Sequence, residues 1–375
     1  MKIVVLNTIS GPICWFFLDL LKSLADRGCS ITVYVSDPEN HNNLLNLQHT
    51  NIHASHISVA RRPSLLGLIK TVLAYIKMVR SDNPSVVVTN NLSPGFAYRI
   101  CAITLGERQR PRWIHFVTGQ VWAKFSWSDL VSYFSDALVL LANNRLIFDS
   151  KSQYDFVRKK VPLFAKRSEV YISNSVYGVR SEILDWSSKS SSPQKRSAVL
   201  KVGYIGRINK SKGIVDAALE FSRTLKGVPG LELHLFGDME SPIPLASLRN
   251  VYWHGYQSNL AKVFNSIDLL IVPSEREGFG NVVLEAALFG VRALVTPIYG
   301  LRDVASHAES VVAERECFWQ VIPELKTEIL QEKGEYAMRM KQMYREKYSR
   351  ETFDEFYSMV FYSETERVVC FRREA

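Results

Sequence analysis

Cysteine is scarce in this chain, and the few cysteines are not arranged for a disulfide framework or a metal site. There are five, and none stands in a Cys-x-x-Cys arrangement. They are scattered over the sequence at Cys14, Cys29, Cys101, Cys317 and Cys370. This distribution argues against a disulfide-stapled secreted domain and against a zinc site, and it fits reduced thiols in a cytosol.

The sequence also lacks a long apolar run. No uncharged apolar stretch reaches the roughly 18 residues that a membrane span requires. The run from Ile3 to Leu6 is broken at once by Asn7 and Thr8, and Gly11 and Pro12 follow. It is therefore read as a first buried strand rather than as a signal peptide. We expect a cytoplasmic protein that rests on a membrane surface at most.

Long blocks of basic residues are missing too, although the chain as a whole is basic. The formal net charge is +9 and the sequence pI is about 9.2. Such a balance favours anionic partners, which include nucleic acid, anionic lipid headgroups and substrates that carry a diphosphate. Without a long block of lysines and arginines, a nucleic-acid-binding arm is not expected.

The length and composition indicate two soluble domains. The chain has 375 residues, of which 47% are hydrophobic and 22% charged, so two separate cores are possible. Short apolar runs alternate with helical patterns, which is typical of α/β units, and runs at 137–141, 146–149 and 170–172 complete the first domain. Ser187 to Ser197 is the most linker-like stretch. We predict a first domain at 1–186, a linker at 187–197, a second domain at 198–350 and a terminal helix at 351–375.

The most informative stretch runs from Ile271 to Thr296. An apolar strand ends at Pro273, a loop with two glycines follows, and an almost wholly apolar helix begins near Asn281. A glycine loop that enters a helix directs backbone N–H groups and the positive end of the helix dipole at one place, where an anion is stabilised. Glu277 lies in the loop and Glu285 in the helix. A buried carboxylate needs hydrogen-bond donors, and sugar hydroxyls are good donors.

A second loop bounded by glycines, from Gly206 to Gly213, follows the predicted strand Val199 to Ile205. It carries Arg207 and Lys212, five residues apart. Two fixed cations on a loop at the carboxyl end of a strand can neutralise a diphosphate. The alternative interpretation is an ordinary solvated turn, which the Glu277 loop downstream makes less favourable.

Together these two stretches resemble glycosyltransferase family 4. The segments Pro-Ser-x-x-Glu-Gly-Phe-Gly and Glu-Ala-x-x-x-Gly match the paired-glutamate motif of that family, and Gly-Arg-x-x-x-x-Lys-Gly matches its diphosphate loop. The resemblance implies an α/β GT-B fold, in which two doubly wound Rossmann-like domains face a central cleft and a C-terminal helix crosses back to the first domain. It also implies transfer with retention of configuration from a nucleotide sugar.

The resemblance assigns roles to residues of the second domain. Arg207 and Lys212 would hold the donor diphosphate, Glu285 the ribose hydroxyls and Glu277 the hydroxyls of the sugar ring, so Glu277, Arg207 and Lys212 are the predicted catalytic residues. The predicted donor-binding residues are Gly206, Arg207, Lys212, Glu277, Gly278, Phe279, Gly280, Asn281 and Glu285.

The first domain matches the family less closely. Only Gly11 remains in its first loop, where the family often has paired glycines. In the segment Trp113 to Trp122, Thr118 precedes Gly119 where the family often has histidine, and His115 falls inside a strand as a core residue. Thr118, Gly119, Gln120 and Gly11 are the predicted cleft residues on the acceptor side. The Thr-Gly-Gln-Val-Trp segment resembles a subgroup of capsule and O-antigen glycosyltransferases.

The resemblance thus implies a hexosyl or N-acetylhexosaminyl transferase with a UDP-linked donor and a lipid-linked envelope polysaccharide as acceptor. No Asp-x-Asp pair is present, so a metal-independent reaction without a cofactor is expected. Leu65 to Val79 predicts an amphipathic helix with a basic face, which either is solvated or lies on an anionic membrane. Two alternatives stay open, a nucleotide-sugar 2-epimerase with the same fold and a degenerate transferase that only binds nucleotide sugar.

Overall fold

The chain divides into two compact units in the computed structural model. One unit comprises Met1–Tyr177 and Phe353–Ala375, and the other comprises Gly178–Thr352. The structure describes residues 1–8, 11, 13–36, 49–57, 65–90, 92–106, 110–118, 129–142, 145–164, 168–189, 199–224, 230–362 and 369–370. The division at Tyr177 precedes the stretch predicted as the linker, and residues 190–197 of that stretch lie outside the described residues.

The first unit alternates strands and helices along its first 177 residues. Its strands are β1 Lys2–Leu6, β2 Ser30–Val35, β3 Ile52–His56, β4 Val86–Asn90, β5 Arg112–Val117, β6 Arg145–Phe148 and β7 Glu169–Ile172. Its helices are α1 Leu18–Asp26, α2 Leu65–Asp82, α3 Leu92–Leu105, α4 Asp129–Leu140 and α5 Lys151–Lys160. A π-helical turn, Ile13–Phe17, leads into α1.

The second unit repeats the alternation. Its strands are β8 Leu200–Ile205, β9 Leu231–Phe236, β10 Val251–Trp253, β11 Leu269–Val272, β12 Arg292–Val295 and β13 Val311–Val312. Its helices are α6 Ser181–Lys189, α7 Ile214–Thr224, α8 Leu260–Ser266, α9 Asn281–Ala287, α10 Leu301–His307 and α11 Phe318–Lys347. The chain then returns to the first unit with α12 Arg350–Tyr362 and β14 Val369–Cys370. The terminal helix is therefore shorter than the predicted 351–375.

Both sheets are parallel and doubly wound. The first has the strand order β14-β7-β6-β5-β4-β1-β2-β3 and the second the order β10-β9-β8-β11-β12-β13. In each sheet the chain starts in the middle, builds one side and then crosses over to build the other. The crossover points lie between β1 and β4 and between β8 and β11, where open parallel sheets bind ligands outside the carboxyl ends of their strands. The predicted α/β class with two Rossmann-like sheets is confirmed.

Apolar strands explain why the sheets lie inside each unit. Ile3, Val4, Val5 and Leu6 of β1 are fully buried, and so are all residues of β11 except Val272, which is nearly so. Continuous Val, Ile and Leu runs are typical of parallel strands that helices cover on both faces. Burial of each such side chain contributes about 1.5–3 kcal/mol before the entropy of ordering is subtracted.

Local predictions from the sequence had mixed outcomes. Ser150 caps α5, since its hydroxyl accepts a hydrogen bond from the Gln153 main-chain amide. The apolar run 137–141 is helical, because its residues 137–140 form the last turn of α4. Strand β3 was not predicted, since its sequence Ile-His-Ala-Ser-His carries little apolar alternation.

None of the helices in the described ranges combines the length and apolar composition that a bilayer crossing requires.

Candidate active site

The loops that follow β8 and β11 meet at the crossover point of the second sheet. These strands are neighbours and run parallel, with Leu269 paired to Val202 and Leu270 to Gly203. Parallel strands place their carboxyl ends at one edge, so the loop after β8, residues 206–213, and the loop after β11, residues 273–280, emerge side by side. The two motifs that the sequence predicted to act together are thereby adjacent.

Close backbone packing fixes the two loops against each other. The Glu275 amide donates a hydrogen bond to the Ser211 carbonyl at 3.2 Å. Gly213 has φ +67°, and a Cβ at this position would lie 2.0 Å from the Pro273 carbonyl oxygen. Only glycine permits this approach, because any side chain would both strain the backbone and overlap the neighbouring loop.

Lys212 and Glu277 form an ion pair across these loops. Asn209 holds the Lys212 backbone in place, because its side-chain oxygen accepts from the Lys212 amide at 3.1 Å. The Ser274 hydroxyl donates to Glu277 Oε1 at 3.1 Å. Both charged side chains are mostly buried, at 24% and 20% exposure. The pair therefore presents one cation and one carboxylate in a fixed arrangement at the edge of the sheet.

Arg207 lies on the same loop as Lys212 but has a different partner. Its guanidinium pairs with Glu240 at 3.2 Å, and the Asn209 amide donates to the other oxygen of Glu240 at 2.8 Å. The hydrogen bond from Asn209 and the charge of Arg207 lower the pKa of Glu240. Since the Arg207 side chain is 61% exposed, this ion pair contributes little to stability, and the guanidinium remains accessible to an anionic ligand.

Glu285 is buried on the short helix α9. Only 8% of its surface is exposed, and burial raises the pKa of its carboxyl group, although Arg180 opposes the shift. The Arg180 Nε lies 3.7 Å from Glu285 Oε1. A carboxylate in this position is partly compensated by one cation and keeps capacity for further hydrogen bonds from a ligand.

The segment between the two glutamates forms the rest of the predicted donor site. Gly280 has φ +91°, and a Cβ there would lie 2.6 Å from Leu301 Cδ2, so α10 packs directly against this turn. The Phe279 side chain is buried, with its ring centroid 6.3 Å from those of His307 and Tyr348. Phe279 thus anchors the loop through its side chain, and only its main chain is available to a ligand.

Several residues of this site were not identified from the sequence. They are Arg180, Asn209, Glu240 and Ser274. Asn209 was detectable as a cap three residues before Lys212, and Ser274 stands inside the Pro-Ser-x-x-Glu motif. Glu240 follows β9 and Arg180 precedes α6, so their proximity to the site depends on the fold and has no local sequence signal.

The predicted acceptor-side residues belong to the first unit. Gly11 and Thr118 follow β1 and β5 respectively, whereas Gly119 and Gln120 lie outside the described residues. His115 is a core residue as predicted, because its Nδ1 lies 2.7 Å from the Thr89 hydroxyl and burial lowers its pKa to about 3. It is therefore neutral at physiological pH.

The acidic residues of the site are not arranged as a metal centre in the part of the chain that the structure describes. Within the described ranges, no group of three or more His, Cys, Asp and Glu side chains is arranged to hold a metal ion. The polar residues at the edge of the second sheet are instead joined into ion pairs. An arrangement of three cations and three carboxylates suits a ligand that carries both phosphate oxygens and hydroxyl groups.

A family comparison assigns the segment that contains this site. Residues 187–347 match the family described as "Glycosyl transferases group 1". The matched range includes Arg207, Lys212, Glu277 and Glu285. The chain is similar in sequence to the capsular polysaccharide biosynthesis glycosyltransferase CapM of Staphylococcus aureus. The two are 23% identical over 278 residues, which cover 70% of this chain and 72% of CapM. Another similar protein is an N-acetyl-alpha-D-glucosaminyl L-malate synthase of Bacillus anthracis, 30% identical over 28% of this chain and 30% of the relative.

Solved structures share the fold along almost the entire chain. A glycosyltransferase of Rickettsia africae has a TM-score of 0.72 at 14% identity, and 96% of this chain and 99% of that chain are covered. The Anabaena protein HepE, solved in complex with UDP, has a TM-score of 0.66 at 17% identity, with the same coverage of 96% and 99%.

A protein of Listeria monocytogenes described as a UDP-N-acetylglucosamine 2-epimerase is similar as well, with a TM-score of 0.61 at 11% identity over 98% of each chain. At these identities the likeness shows the fold alone, and that fold is shared by transferases and epimerases. The family match concerns the segment that carries the site. Residues 187–347 match the glycosyl transferases group 1 family, and the chain as a whole shares the GT-B fold of these solved structures.

Proposed function

We propose that this protein is a retaining transferase that moves a hexosyl or N-acetylhexosaminyl group from a UDP-linked donor to a lipid-linked envelope polysaccharide. The observation that carries the proposal is the Lys212–Glu277 ion pair, with Arg207 on the same loop, at the crossover point of the second sheet. The UDP bound to HepE supports the choice of nucleotide, and the capsular role of CapM supports the choice of product.

The donor would be held by residues of the second unit. Arg207 and Lys212 would contact the diphosphate, together with the main chain from Gly278 to Asn281 and the Gly206 turn. Glu285 would accept the ribose hydroxyls, and Glu277 the hydroxyls of the sugar. Lys212 contacts Glu277. A donor whose diphosphate binds Lys212 and whose sugar binds Glu277 would therefore have the bond between sugar and diphosphate located between these two side chains.

We propose the following reaction for a donor that is held in this way. The bond between the anomeric carbon and the diphosphate oxygen breaks, and a bond to the acceptor oxygen forms on the same face of the sugar. The departing diphosphate takes the proton of the acceptor hydroxyl. Arg207 and Lys212 stabilise the negative charge that develops on the diphosphate, which is the largest electrostatic demand of the step. These fixed cations would serve without a divalent metal ion, so a metal-independent reaction is proposed.

Contact with an anionic membrane is proposed for one surface of the first unit. Helix α3 packs against both α2 and α4, and large apolar side chains of these helices are exposed. They are Leu65, Leu66, Ile69 and Leu73 on α2, Ile103 on α3, and Val131, Phe134 and Leu138 on α4. The basic residues Lys70, Lys77 and Arg80 of α2 are exposed as well.

Exposed apolar side chains with adjacent lysines are typical of surfaces that rest in the headgroup region of anionic bilayers. We expect sedimentation with vesicles of phosphatidylglycerol and phosphatidylethanolamine but not with phosphatidylcholine vesicles. Phe134→Ser combined with Leu138→Ser should abolish the sedimentation, and Met338→Ser, which changes an exposed methionine of the second unit, should not. Self-association of the protein in place of vesicle binding would contradict this assignment.

The reaction itself is tested by donor binding and transfer. Calorimetric titration with UDP, GDP, ADP and dTDP, each alone and with its common sugars attached, should show selective binding of UDP. Radiolabel from the selected sugar donor should then enter a lipid extract of the producing cells. Interconversion of the donor sugar with its 2-epimer would support an epimerase. Donor binding without transfer would support a degenerate transferase that only binds nucleotide sugar. An inverted anomeric linkage in the product, detected by NMR, would exclude retention.

A further inference from the structure

Polar residues stand at the end of one strand of the first unit and directly after two of its neighbours. Strands β4, β5 and β6 lie side by side in the sheet. Asn90, the last residue of β4, pairs in register with Phe116, and Val117 of β5 pairs with Phe148 of β6. Thr118 and Asp149 are therefore level with each other at the carboxyl edge of this sheet, and Asn90 lies two residues further back on the neighbouring strand. Parallel sheets bind ligands at this edge.

Asp149 is buried, and one oxygen of its carboxyl group has no partner among the described residues. The residue is 7% exposed, and the oxygen without a partner there is Oδ1. Its main chain is satisfied, because its amide donates to Gln153 Oε1 and its carbonyl accepts from the Ser175 amide, both at 3.0 Å. The unsatisfied group is thus confined to the side chain.

Three side chains near the carboxyl end of β6 donate to the main chain. Tyr357 of α12 donates its hydroxyl to the Val176 carbonyl. The Ser173 hydroxyl donates to the Phe148 carbonyl at 3.2 Å. The side-chain amide of Gln153 donates to the Val117 carbonyl at 2.9 Å. Each of these hydrogen bonds ends on the main chain. A protein without a use for the acid would gain stability by replacing it, since an unsatisfied buried carboxyl group is costly.

Asn90 provides a second, independent observation. It is 2% exposed, and its Oδ1 also has no hydrogen-bond partner among the described residues. Asn90 and Asp149 are separated by two strand spacings across the sheet and two residues along it, which together give about 12 Å. The edge thus offers two buried acceptors at a distance that two linked sugar rings span.

We propose that Asp149 and Asn90 accept hydrogen bonds from hydroxyl groups of the acceptor glycan and so position it for transfer. This inference rests on the proposed transferase function and adds acceptor-binding residues that the sequence motifs do not contain. A glycan is a ligand rich in donors, and it carries no charge that an isolated acid would repel. The proton of the reacting hydroxyl still leaves with the diphosphate, so Asp149 is a binding group and not the base.

The protonation of Asp149 makes the proposal measurable. Burial raises the pKa of Asp149 to about 7. The titratable group that faces it is the Tyr357 hydroxyl, whose pKa is raised well above its usual value by burial first and by Asp149 second. Because the folded protein holds the Asp149 proton more tightly than the unfolded chain, this group makes folding less favourable as the pH rises from about 4 to about 7.

The experiment compares the wild type with Asp149→Asn, Asn90→Ala and the control Asp155→Asn. Asp155 is on α5 and pairs with Lys151 at the surface. We expect Asp149→Asn to raise the Tm by about 5 °C at pH 8, with a smaller difference at pH 5. At pH 8 the apparent KM for the lipid extract should rise about tenfold in Asn90→Ala, which removes an acceptor, and about threefold in Asp149→Asn, which replaces a carboxylate by the weaker amide acceptor. UDP binding and the Asp155→Asn control should be unchanged.

The acceptor KM of the wild type should fall as the pH rises through 7, because a carboxylate accepts hydroxyl donors more strongly than a neutral acid. Asp149→Asn should lose this pH dependence. A lower Tm for Asp149→Asn at pH 8, or an unchanged acceptor KM, would overturn the inference and leave the transferase function intact. A wild type that binds UDP but transfers nothing to the extract would overturn the proposed function and this inference with it.

Discussion

Carboxylates at the edge of the second sheet are paired with cations, whereas polar side chains at the equivalent edge of the first sheet are not. In the second unit, Glu240, Glu277 and Glu285 face Arg207, Lys212 and Arg180 respectively. In the first unit, Asn90 and Asp149 each keep a buried oxygen without a partner among the described residues.

The difference matches the ligands that the two edges are proposed to bind. A nucleotide sugar brings negative charge, so its site needs cations that are positioned in advance, and nearby carboxylates balance those cations while the site is empty. A glycan brings hydroxyl donors without charge, so its site needs acceptors. The two sheets have the same topology, and the side chains after the strands make the distinction.

The largest expected effect tests whether the carboxyl edge of the second sheet depends on the close contact between the loops 206–213 and 273–280. Gly213→Ala should lower the free energy of unfolding by about 3 kcal/mol or more, because it combines a positive φ with overlap on Pro273. Gly255→Ala is the matched control, since Gly255 has φ +68° but open space around its Cα. It should cost only about 1–2 kcal/mol. Equal losses in urea denaturation would show that the close approach is unimportant.

The next effect concerns the charge that distinguishes the second edge. Lys212→Ala should weaken UDP binding about 10- to 100-fold and reduce turnover, because a charged hydrogen bond contributes about 1.5–3 kcal/mol. Lys210→Ala removes an exposed lysine from the same short 3₁₀ helix and should have almost no effect. Similar titration curves for the two variants would place Lys212 outside the diphosphate site.

A smaller effect separates the roles of the two glutamates. Glu285→Ala should weaken binding of free UDP about tenfold. Glu277→Ala should leave UDP binding unchanged or slightly tighter, because Lys212 no longer has a competing carboxylate partner. The same variant should lose the additional affinity that the sugar gives to a UDP-sugar. Calorimetry with UDP and with the selected UDP-sugar measures both quantities. The assignment of Glu277 to the sugar fails if this variant weakens both ligands equally.

The smallest effect is a pH dependence of stability with opposite signs at two carboxylates. The pKa of Glu285 is raised by burial, so its contribution to stability is lost as the pH rises above the ordinary carboxyl range. The pKa of Glu240 is lowered, mainly by Asn209, so its contribution is lost as the pH falls. Glu285→Gln should therefore reduce the loss of unfolding free energy as the pH rises above the ordinary carboxyl range. Glu240→Gln should reduce the loss of unfolding free energy as the pH falls through that range. Identical profiles for both variants would contradict these signs.

The sequence predicted the second unit better than the first. Arg207, Lys212, Glu277 and Glu285 stand in local motifs with fixed spacing, and the structure brings Lys212 and Glu277 together as the motifs suggested. Their main chains are held by glycines and caps that also have local signals. The roles of these residues in donor binding remain predictions.

Other features depended on contacts between residues far apart in sequence. Arg180 and Glu240 reach the site through strand order. The Asp149 Oδ1 has no partner among the described residues, and nearby side chains donate to the main chain instead. No spacing rule detects either situation. Strand β3 and the last turn of α4 were missed for a different reason, since short runs of mixed polarity do not distinguish strand from helix.

Hydrogen–deuterium exchange with and without UDP tests the central claim most directly, because it reports where the nucleotide binds. We predict that UDP slows exchange in the loops 206–213 and 273–280 of the second unit, and that Lys212→Ala abolishes this protection while Lys210→Ala retains it. Protection confined to the ends of β4 and β6 in the first unit, with none in the two loops, would contradict the assignment of the donor site.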